Sequence, residues 1–481
     1  MSAPATGPQP WPTFPDTAVA TAFHLDTLQH RTFRYFWELS DGFGQIPDRW
    51  PSENFSSIAA TGFGLPALAV GVERGYITRA QAAARAHKTL RFLMDAPQGP
   101  AMTGTIGHKG YFYHFLNHDD GLRFGNTELS TIDTALLMAG VLAAGEYFDG
   151  DSADERAIRT LADALYRRVE WDFAWVPEDN ALSMGWRPDR GYVKARWRGY
   201  NEAMILLILA MGAPDHAIPE TAWDAWTESY DWEGGYGAEE HAMFDPLFGH
   251  QYSQMFVDFR GIRDAYMRER DSDYHDNSVA ATALQIGYAE ANPYGFAERG
   301  RARLWGLTAC DGPGNGRIAI GAPSTAATYD NEARHEATDS IRTRAYWARG
   351  VDGSKIKDDG TVSPTAAGGS FPYAPEAAEA TLAYMWNTYQ PHLVGRYGLR
   401  DALNLETPAR DDQPGAPGWF NDDYLGIDQG PILLQIENHR TGLVWDLLKS
   451  NEHVRRGLER AGFTGGWLDR PAEDFRNDRT R

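Results

Sequence analysis

Apolar and polar positions recur with a helical period along most of the 481-residue chain. Three segments are apolar on nearly every face, namely 56–72, 131–148 and 200–211, and each is followed by a segment that carries charged positions, at 78–94, 153–169 and 220–230. A helix that is apolar all round must be buried in a large core, whereas a helix with one charged face lies at the surface. The pattern therefore predicts alternating buried and exposed helices.

Further helical patterns bring the total to about a dozen helices, at 16–40, 257–270, 275–291, 375–389, 429–449 and 452–461. No run of alternating strand positions is convincing, and no fixed period suggests a repeat array. Buried helices that are covered by surface helices fit an all-α fold, the (α/α)6 barrel, which is a closed toroid of inner and outer helices. The ends of its inner helices open into loops, where polar residues can surround a cleft.

Two long segments, 96–128 and 292–373, lack a helical period but contain many aromatic residues. Loops of this length in a compact domain are usually functional or disordered, and the aromatic residues favour packed loops. No linker marks a second domain. We therefore predict one catalytic domain over 16–465, between a proline-rich N-terminal tail at 1–15 and a polar C-terminal tail at 466–481.

The composition narrows the choice of partners. A net charge of −21 argues against nucleic acid and makes an acidic polysaccharide a poor substrate. The 16 Trp, 22 Tyr and 22 Phe suit stacking on neutral sugars. No apolar run is long enough to span a bilayer, and the N-terminus lacks a signal-peptide pattern. The protein is therefore expected either to be cytoplasmic or to be exported after loss of its signal peptide.

Residue types for other chemistries are sparse. The one cysteine, Cys310, excludes an internal disulfide and fits a small buried side chain better than a nucleophile. No nucleophile elbow, phosphate-binding loop or His-Glu-x-x-His motif is present. The histidines His108, His114 and His118, beside two aspartates, leave a metal site open as the weaker alternative to ordinary hydrogen bonding. We expect no metal and no cofactor.

The first candidate acid is Glu202, which ends a polar segment that begins at Arg196 and continues into an apolar helix. Burial disfavours the charged form of a carboxyl group and raises its pKa, which suits a general acid, although a position in the first helical turn opposes this. The alternative is that Asn201 caps the helix and that Glu202 is an ordinary first-turn carboxylate.

Two other acidic segments precede apolar helices. Ser130 and Asp133 have the spacing of a capping box, whereas Glu128 has no such explanation. Asp428 and Gln429 stand at a second helix start, after an acidic and aromatic segment. Glycoside hydrolysis requires one protonated and one ionised carboxyl group. Glu202 with Asp428 or Asp133 meets that requirement if the helix starts face one cleft.

These residues carry a resemblance to the bacterial glycoamylase-like domain, which includes the β-1,2-glucanases of glycoside hydrolase family 144. It spans roughly residues 30–462, in ordered motifs: RYFW at 34–37, TGFGL at 61–65, STIDTAL at 130–136, RGYNE at 198–202, WGLTACDGP at 305–313 and GIDQGP at 426–431. The resemblance implies an (α/α)6 barrel, no metal, and hydrolysis of β-1,2-glucan to sophorose or short oligosaccharides. It makes Glu202 the leading general acid and Asp133 and Asp428 the other candidates.

The chain also departs from the family. Many members carry Glu at the position of Asp133, and here Glu128 is the upstream acid. Related domains include transglycosylases, so transfer remains an alternative to hydrolysis. A polysaccharide lyase would need Tyr200, Arg198 and His250, and the net charge disfavours it; a third alternative is a non-catalytic glycan-binding protein. Substrate contacts are predicted from polar and aromatic loop segments: Trp186, Arg198, Tyr200, Asn201, Gln251, Tyr252, Asp311, Phe371 and Gln429.

Overall fold

The computed structural model describes residues 22–52, 55–319, 340–353 and 355–479. The structure is helix-rich, and 46% of it is helical. The α-helices of the described residues are α1 (Leu25–Glu38), α2 (Ile58–Glu73), α3 (Arg79–Asp95), α4 (Thr131–Tyr147), α5 (Ala153–Arg168), α6 (Met204–Gly212), α7 (Thr221–Thr227), α8 (Phe248–Phe256), α9 (Ala265–Glu269), α10 (Tyr274–Ala291), α11 (Pro364–Gly368), α12 (Pro375–Thr388), α13 (Gln390–Leu393), α14 (Gly426–Thr441), α15 (Leu443–Lys449), α16 (Glu452–Arg460) and α17 (Ala472–Arg479).

The apolar helices pack against one another. Helix α2 packs on α4, α4 on α6, α6 on α8, α8 on α14, and α14 on α2, while α11 packs on α14. Every residue of α6 is buried, as are nearly all residues of α2 and α4. Each of the helices α1, α3, α5, α10, α12 and α16 lies against at least one of them. The predicted division into buried and surface helices is confirmed.

Glycines allow α2 and α4 to cross at backbone contact. A Cβ atom on Gly140 would lie 1.9 Å from the carbonyl oxygen of Gly62, and one on Gly62 would lie 2.6 Å from the carbonyl oxygen of Leu136. No side chain larger than hydrogen fits at these two positions, because the neighbouring atoms belong to the backbone and cannot rotate away.

The strands are short and antiparallel, and they lie in the connections between helices. They are β1 (Ile46–Pro47), β2 (Arg49–Trp50), β3 (Phe55–Ser57), β4 (Gly107–His108), β5 (Tyr111–Phe112), β6 (Phe115–Asn117), β7 (Leu129–Ser130), β8 (Trp175–Val176), β9 (Ala181–Leu182), β10 (Gly185–Arg187), β11 (Gly191–Tyr192), β12 (Trp232–Gly235), β13 (Ala238–Ala242), β14 (Ala309–Cys310), β15 (Gly316–Ala319), β16 (Ser340–Thr343), β17 (Trp347–Ala348), β18 (Gly350–Asp352), β19 (Lys355–Lys357), β20 (Thr361–Val362), β21 (Val394–Gly395), β22 (Gly398–Leu399), β23 (Leu403–Asn404), β24 (Trp419–Phe420) and β25 (Tyr424–Leu425). The long segments predicted as packed loops therefore contain small hairpins.

The structure corrects several predicted boundaries. Helices α8 and α11 were not predicted, and the predicted helix at 257–270 is reduced to α9. The predicted helix at 429–449 is divided into α14 and α15 at Gly442, which has a φ of 74°. The segment expected as a polar C-terminal tail instead forms a 3₁₀ turn and α17, with Trp467 and Phe475 buried.

The predicted tail at 1–15 lies outside the described residues. Among the residues that the structure does describe, no helix has the length and apolar character needed to cross a membrane.

Candidate active site

The N-terminal ends of three buried helices, α4, α6 and α14, lie around α8. Two adjacent residues of α8 make the connection: Ser253 Oγ donates a hydrogen bond of 2.8 Å to the carbonyl of Glu202, and the Tyr252 hydroxyl donates one of 3.1 Å to the carbonyl of Ile427, beside Asp428. Trp197 lies in the segment before Glu202, and its indole N–H donates a 2.9 Å hydrogen bond to Thr131 Oγ1 at the start of α4. This contact links the starts of α4 and α6. The helix starts that carry the three acidic segments therefore face a common region.

Glu202 lies two residues before the first residue of α6. Its Oε2 has no hydrogen-bond partner among the described residues. Burial raises the pKa of Glu202 to about 7; the negative charge of Asp133 adds to this increase, and a backbone hydrogen bond opposes it. Asn201 Oδ1 accepts a 3.0 Å hydrogen bond from the N–H of Ala203 in the turn before α6. The capping alternative is wrong, because α6 begins after Ala203 and has no side-chain cap, so Glu202 lies before its first turn.

Asp133 combines a local and a long-range contact. The Ser130 hydroxyl accepts a hydrogen bond from the Asp133 N–H at 3.2 Å, which caps α4, and it donates to the Asp133 carboxylate. The same carboxylate oxygen lies 3.6 Å from Nε2 of His114. The predicted cap at Ser130 is thus confirmed, and the second contact connects Asp133 to the loop before α4.

His114 is the centre of an ionic group on one side of the site. Its Nδ1 lies 3.1 Å from Oε1 of Glu128, whose Oε2 accepts a 2.9 Å hydrogen bond from Arg187. Burial lowers the pKa of His114, but Asp133 and Glu128 outweigh it and raise that pKa to about 9. The hydrogen bond from His114 is the main reason that the pKa of Glu128 falls to about 2. Glu128 is therefore suited to stabilising an imidazolium and not to donating a proton.

The other two histidines contact different residues. His108 packs against Trp186, with ring centroids 5.3 Å apart, whereas His118 lies near Asp41, with 3.7 Å between Nδ1 and Oδ2. Because His108, His114 and His118 do not converge, the alternative of a metal site shared by the three is wrong.

A buried pair of carboxyl groups occupies the other side of the site. Asp428, in the first turn of α14, and Asp401 are buried acids whose carboxyl groups act on each other, and they are 2% and 1% exposed. Burial raises the pKa of Asp401 to about 6 and is the main reason that the pKa of Asp428 lies well above its ordinary value; the neighbouring acid raises the pKa of Asp428 further. Two buried carboxyl groups that raise each other's pKa do not both ionise readily, so the pair favours a state with one proton.

A polar network extends from this pair towards the surface. Asp401 Oδ2 accepts hydrogen bonds from the Asp311 N–H at 3.0 Å and from Asn421 Nδ2 at 2.8 Å. Arg49 contacts Asp311 through Nη1 at 2.8 Å and Asp48 through Nε at 3.2 Å. Arg49 therefore balances the negative charges of Asp48 and Asp311. The hydrogen bonds to Asp401, by contrast, come from neutral groups.

Tyr252 is the common neighbour of the acidic groups. Its ring is buried, with Phe63 and Phe248 at centroid distances of 5.6 and 5.2 Å. Burial raises the pKa of the Tyr252 phenol well above its ordinary value, and the charges of Asp428, Glu202 and Asp133 raise it further. All three candidate catalytic acids therefore lie close enough to one side chain to act on it.

Three predicted substrate contacts lie at or near this region. Tyr252 and Asp311 belong to the networks described above, and Trp186 is partly exposed beside His108. Arg198 is exposed, but its guanidinium donates to the carbonyl of Asp179, so its position is determined by that loop.

The other predicted contacts remain predictions: their side chains are buried, and two of them donate hydrogen bonds to protein groups. Gln251 Nε2 donates to Ala366 O at 2.8 Å and to Ser370 Oγ at 2.9 Å, and Gln429 Nε2 donates to Leu399 O at 3.0 Å. The buried residues are Tyr200, Asn201, Gln251, Phe371 and Gln429. These five side chains lie in the protein interior.

The residues needed for lyase chemistry are similarly placed. Tyr200 stacks with Tyr274 at 5.9 Å and with His250 at 4.9 Å inside the core. His250 is 1% exposed, and burial lowers its pKa to about 3. Neither group can reach a substrate, so the structure does not support the lyase alternative.

Sequence reasoning missed Asp401, Arg49 and Tyr346. Asp401 lies between short strands far from any apolar helix, and Arg49 precedes α2 by nine residues, so no local pattern identifies either as part of the site. Tyr346 is one of several aromatic residues in the segment 292–373, and no local pattern distinguishes it from the others. Tertiary contacts alone bring these residues to the site.

Comparison with known proteins agrees with this geometry. The model of the Glycoamylase family, described as "Putative glucoamylase", matches residues 194–452, which is more than half of the chain. A protein of the same description from Bacteroides uniformis is 31% identical, with 92% of this chain and 98% of that chain covered and a TM-score of 0.77. The chain belongs to the glycoamylase family.

Two characterised relatives extend the comparison. The endo-β-1,2-glucanase from Chitinophaga pinensis, solved with sophorotriose and glucose, is 28% identical, with 92% and 98% of the two chains covered and a TM-score of 0.75. An exo β-1,2-glucooligosaccharide sophorohydrolase from Parabacteroides distasonis is 28% identical over 469 residues, which cover 91% of this chain. The match spans 57% of the length of that curated relative.

Proposed function

We propose that this glycoamylase-family protein is a glycoside hydrolase that cleaves β-1,2-glucan to sophorose or short oligosaccharides. The observation that carries the proposal is Glu202, whose buried carboxyl group has an unpartnered oxygen and a pKa raised to about 7. A carboxyl group with this pKa is partly protonated at neutral pH and can donate to a glycosidic oxygen. Two relatives named for activity on β-1,2-linked glucans support the choice of linkage.

The packing order supports an (α/α)6 barrel as the architecture. The helices α2, α4, α6, α8, α11 and α14 act as its inner layer in this proposal, and the surface helices that pack on them form its outer layer. The linked starts of α4, α6 and α14 support a cleft at this end of the proposed barrel, where the acids lie. We further propose that residues 22–479 form a single domain, because α17 packs back on α15.

The proposed reaction uses the acids in different protonation states. Glu202 donates its proton to the glycosidic oxygen as the bond from that oxygen to the anomeric carbon breaks. A water molecule attacks the anomeric carbon and loses its proton to an ionised carboxylate, after which the proton returns to Glu202 through solvent. The products are two shorter saccharides, and the enzyme is restored.

Two groups are placed to accept the proton of water. The pair of Asp428 and Asp401 carries one negative charge when it holds one proton, and it can accept a second. Asp133 is held by Ser130 and His114, and its charge acts on Glu202. Both remain in the proposal, and the variants Asp428→Asn and Asp133→Asn distinguish them by the size of the rate loss.

The test is a substrate panel with purified enzyme. We expect release of reducing ends from linear β-1,2-glucan and accumulation of sophorose or short β-1,2-linked oligosaccharides. Glucans with β-1,3, β-1,4 and β-1,6 linkages and α-1,4-linked starch are the matched controls. Cleavage of starch alone would contradict the linkage, an ultraviolet-absorbing unsaturated product would indicate a lyase, and longer products would indicate transglycosylation.

A further inference from the structure

Tyr346 is a large aromatic side chain that the catalytic groups described above do not use. It is 55% exposed, one of few large apolar side chains with so much accessible surface among the described residues. Burial nevertheless raises the pKa of its phenol above the ordinary value. An aromatic ring with this much accessible surface is available to contact a ligand.

The position of Tyr346 in the chain places it beside the catalytic acids. The next residue, Trp347, pairs with Cys310 across the β14–β17 ladder. Cys310 is followed by Asp311, whose N–H donates to Asp401. The largest charge acting on the Tyr346 phenol is that of Asp428.

The backbone on both sides of Tyr346 is held by one buried guanidinium. Arg349 is 0% exposed and donates to the carbonyls of Arg344 at 3.2 Å, Ala345 at 3.3 Å and Trp347 at 3.3 Å. Asp359 receives its other N–H groups at 2.7 and 2.9 Å.

A buried ion pair is not in general a source of stability, because desolvation offsets the attraction. The contacts of Arg349 instead fix the backbone around Tyr346, because one planar guanidinium group donates to three carbonyls on either side of that exposed residue. A lysine could not reproduce this arrangement, because its ammonium group lacks the planar set of donors.

We propose that Tyr346 is a sugar-contacting residue of this site, which stacks its ring on the apolar face of a glucose unit, and that Arg349 is the positioning residue that presents it. The inference rests on the function proposed above and adds a binding subsite to it. An exposed aromatic ring held in a fixed position supplies apolar area to a ligand at a low cost in conformational entropy.

The first test compares Tyr346→Ala with Tyr346→Phe. Loss of a stacking ring raises KM by roughly three- to tenfold, on the scale of aromatic contacts, with kcat changed by less than about twofold because Tyr346 transfers no proton. The phenylalanine variant retains the KM of the wild-type enzyme if stacking dominates. Tyr266→Ala is the matched control, a partly exposed tyrosine on α9, beyond the C-terminal end of α8; its KM stays at the wild-type value.

The substrate is whichever glucan of the panel the wild-type enzyme cleaves. A wrong linkage is therefore detected with the wild-type enzyme, and a wrong assignment of Tyr346 is detected only with the variants. An unchanged KM for Tyr346→Ala, or an equal rise for Tyr266→Ala, overturns the proposal.

The second test is a double-mutant cycle with Arg349→Lys. If Arg349 acts by presenting Tyr346, Arg349→Lys raises KM in the wild-type background and raises it no further in the Tyr346→Ala background. Additive effects would show that Arg349 has only a general structural role and would overturn its assignment. If Arg349→Lys does not fold, the comparison of the alanine and phenylalanine variants still decides the role of Tyr346.

Discussion

Asp401 and Asp428 are buried acids that act on each other inside the protein, although they are 27 positions apart in the sequence. Two buried carboxyl groups that interact do not readily ionise together, which favours one protonated member of the pair. Neutral groups, the N–H of Asp311 and the amide of Asn421, hold the outer oxygen of Asp401. This pair is the point at which the pH dependence of the site can be tested most directly.

Asp401→Asn is expected to reduce the loss of stability with rising pH. The folded pair has raised pKa values, so it binds protons that the unfolded chain has already lost above its ordinary pKa of about 3.9. The free energy of unfolding therefore falls as pH rises from about 4 through about 6 and above, by up to roughly 1.4 kcal/mol per pH unit for one proton. Tm of Asp401→Asn minus Tm of the wild-type protein should therefore increase between pH 5 and pH 8.

Asp422→Asn is the control for this measurement, because Asp422 contacts Arg400 and Arg410 and not the pair. Its Tm should follow the wild-type pH dependence above pH 5. If Tm of Asp401→Asn changes with pH in the same way as Tm of the wild-type protein, the pair does not hold a proton.

Glu202→Gln should remove most of the hydrolytic activity while the fold remains intact. Glutamine retains the shape of the side chain but lacks a transferable proton, and general acid catalysis contributes about 10²–10⁴-fold. The measurement is kcat on unactivated glucan, with Tm as a check on folding. Near-native turnover would exclude Glu202 as the acid.

The activity of the wild-type enzyme should decrease on the alkaline side at a pH near the pKa of Glu202, which burial raises to about 7. The acid must be protonated to act, so the rate is expected to fall as pH rises through that value. The pH profile of kcat/KM measures it for the free enzyme. A rate that is independent of pH from 6 to 9 would contradict this assignment of Glu202.

Glu128→Gln should lower the pKa of His114 from about 9 towards the ordinary histidine value of about 6.5. The variant removes one of the two anions that hold the imidazolium and leaves Asp133 in place, so the decrease should be partial. An NMR titration of the imidazole protons measures the pKa of His114. His216 is the internal reference, because its ion-pair partner is Asp172 and the variant leaves that contact unchanged. An unchanged pKa would assign the whole effect to Asp133.

Gly140→Ala should destabilise the protein although alanine favours helices by about 1 kcal/mol over glycine. Its Cβ would meet the Gly62 carbonyl at 1.9 Å, and relieving a backbone clash in a packed core costs about 1–3 kcal/mol or more. Chemical denaturation measures the net effect. Gly42→Ala, whose Cβ meets nothing within 4 Å, should change the free energy of unfolding by less than about 0.5 kcal/mol. Equal effects at the two positions would contradict the close helix crossing.

The helices that could be predicted best are those whose own residues specify them. Helix α4 begins at the predicted serine cap and is buried along nearly its whole length, as its apolar composition requires. Helices α8 and α11 were missed for the opposite reason. Helix α8 carries His250, Gln251 and Gln254, whose polar groups become satisfied only when neighbouring elements are in place. Its apolar residues Phe248, Tyr252, Met255 and Phe256 have helical spacing, but nine residues are fewer than the 11–18 over which such a period can be recognised.

The same distinction applies to the site. Local order shows which acids precede apolar helices, and on that basis Glu202, Asp133 and Asp428 could be identified before folding is considered. Their protonation states depend on packing, since Asp428 interacts with Asp401 and the neighbours of Asp133 include His114. Burial and the charge of groups distant in sequence determine a pKa, and both exist only after the helices have packed together.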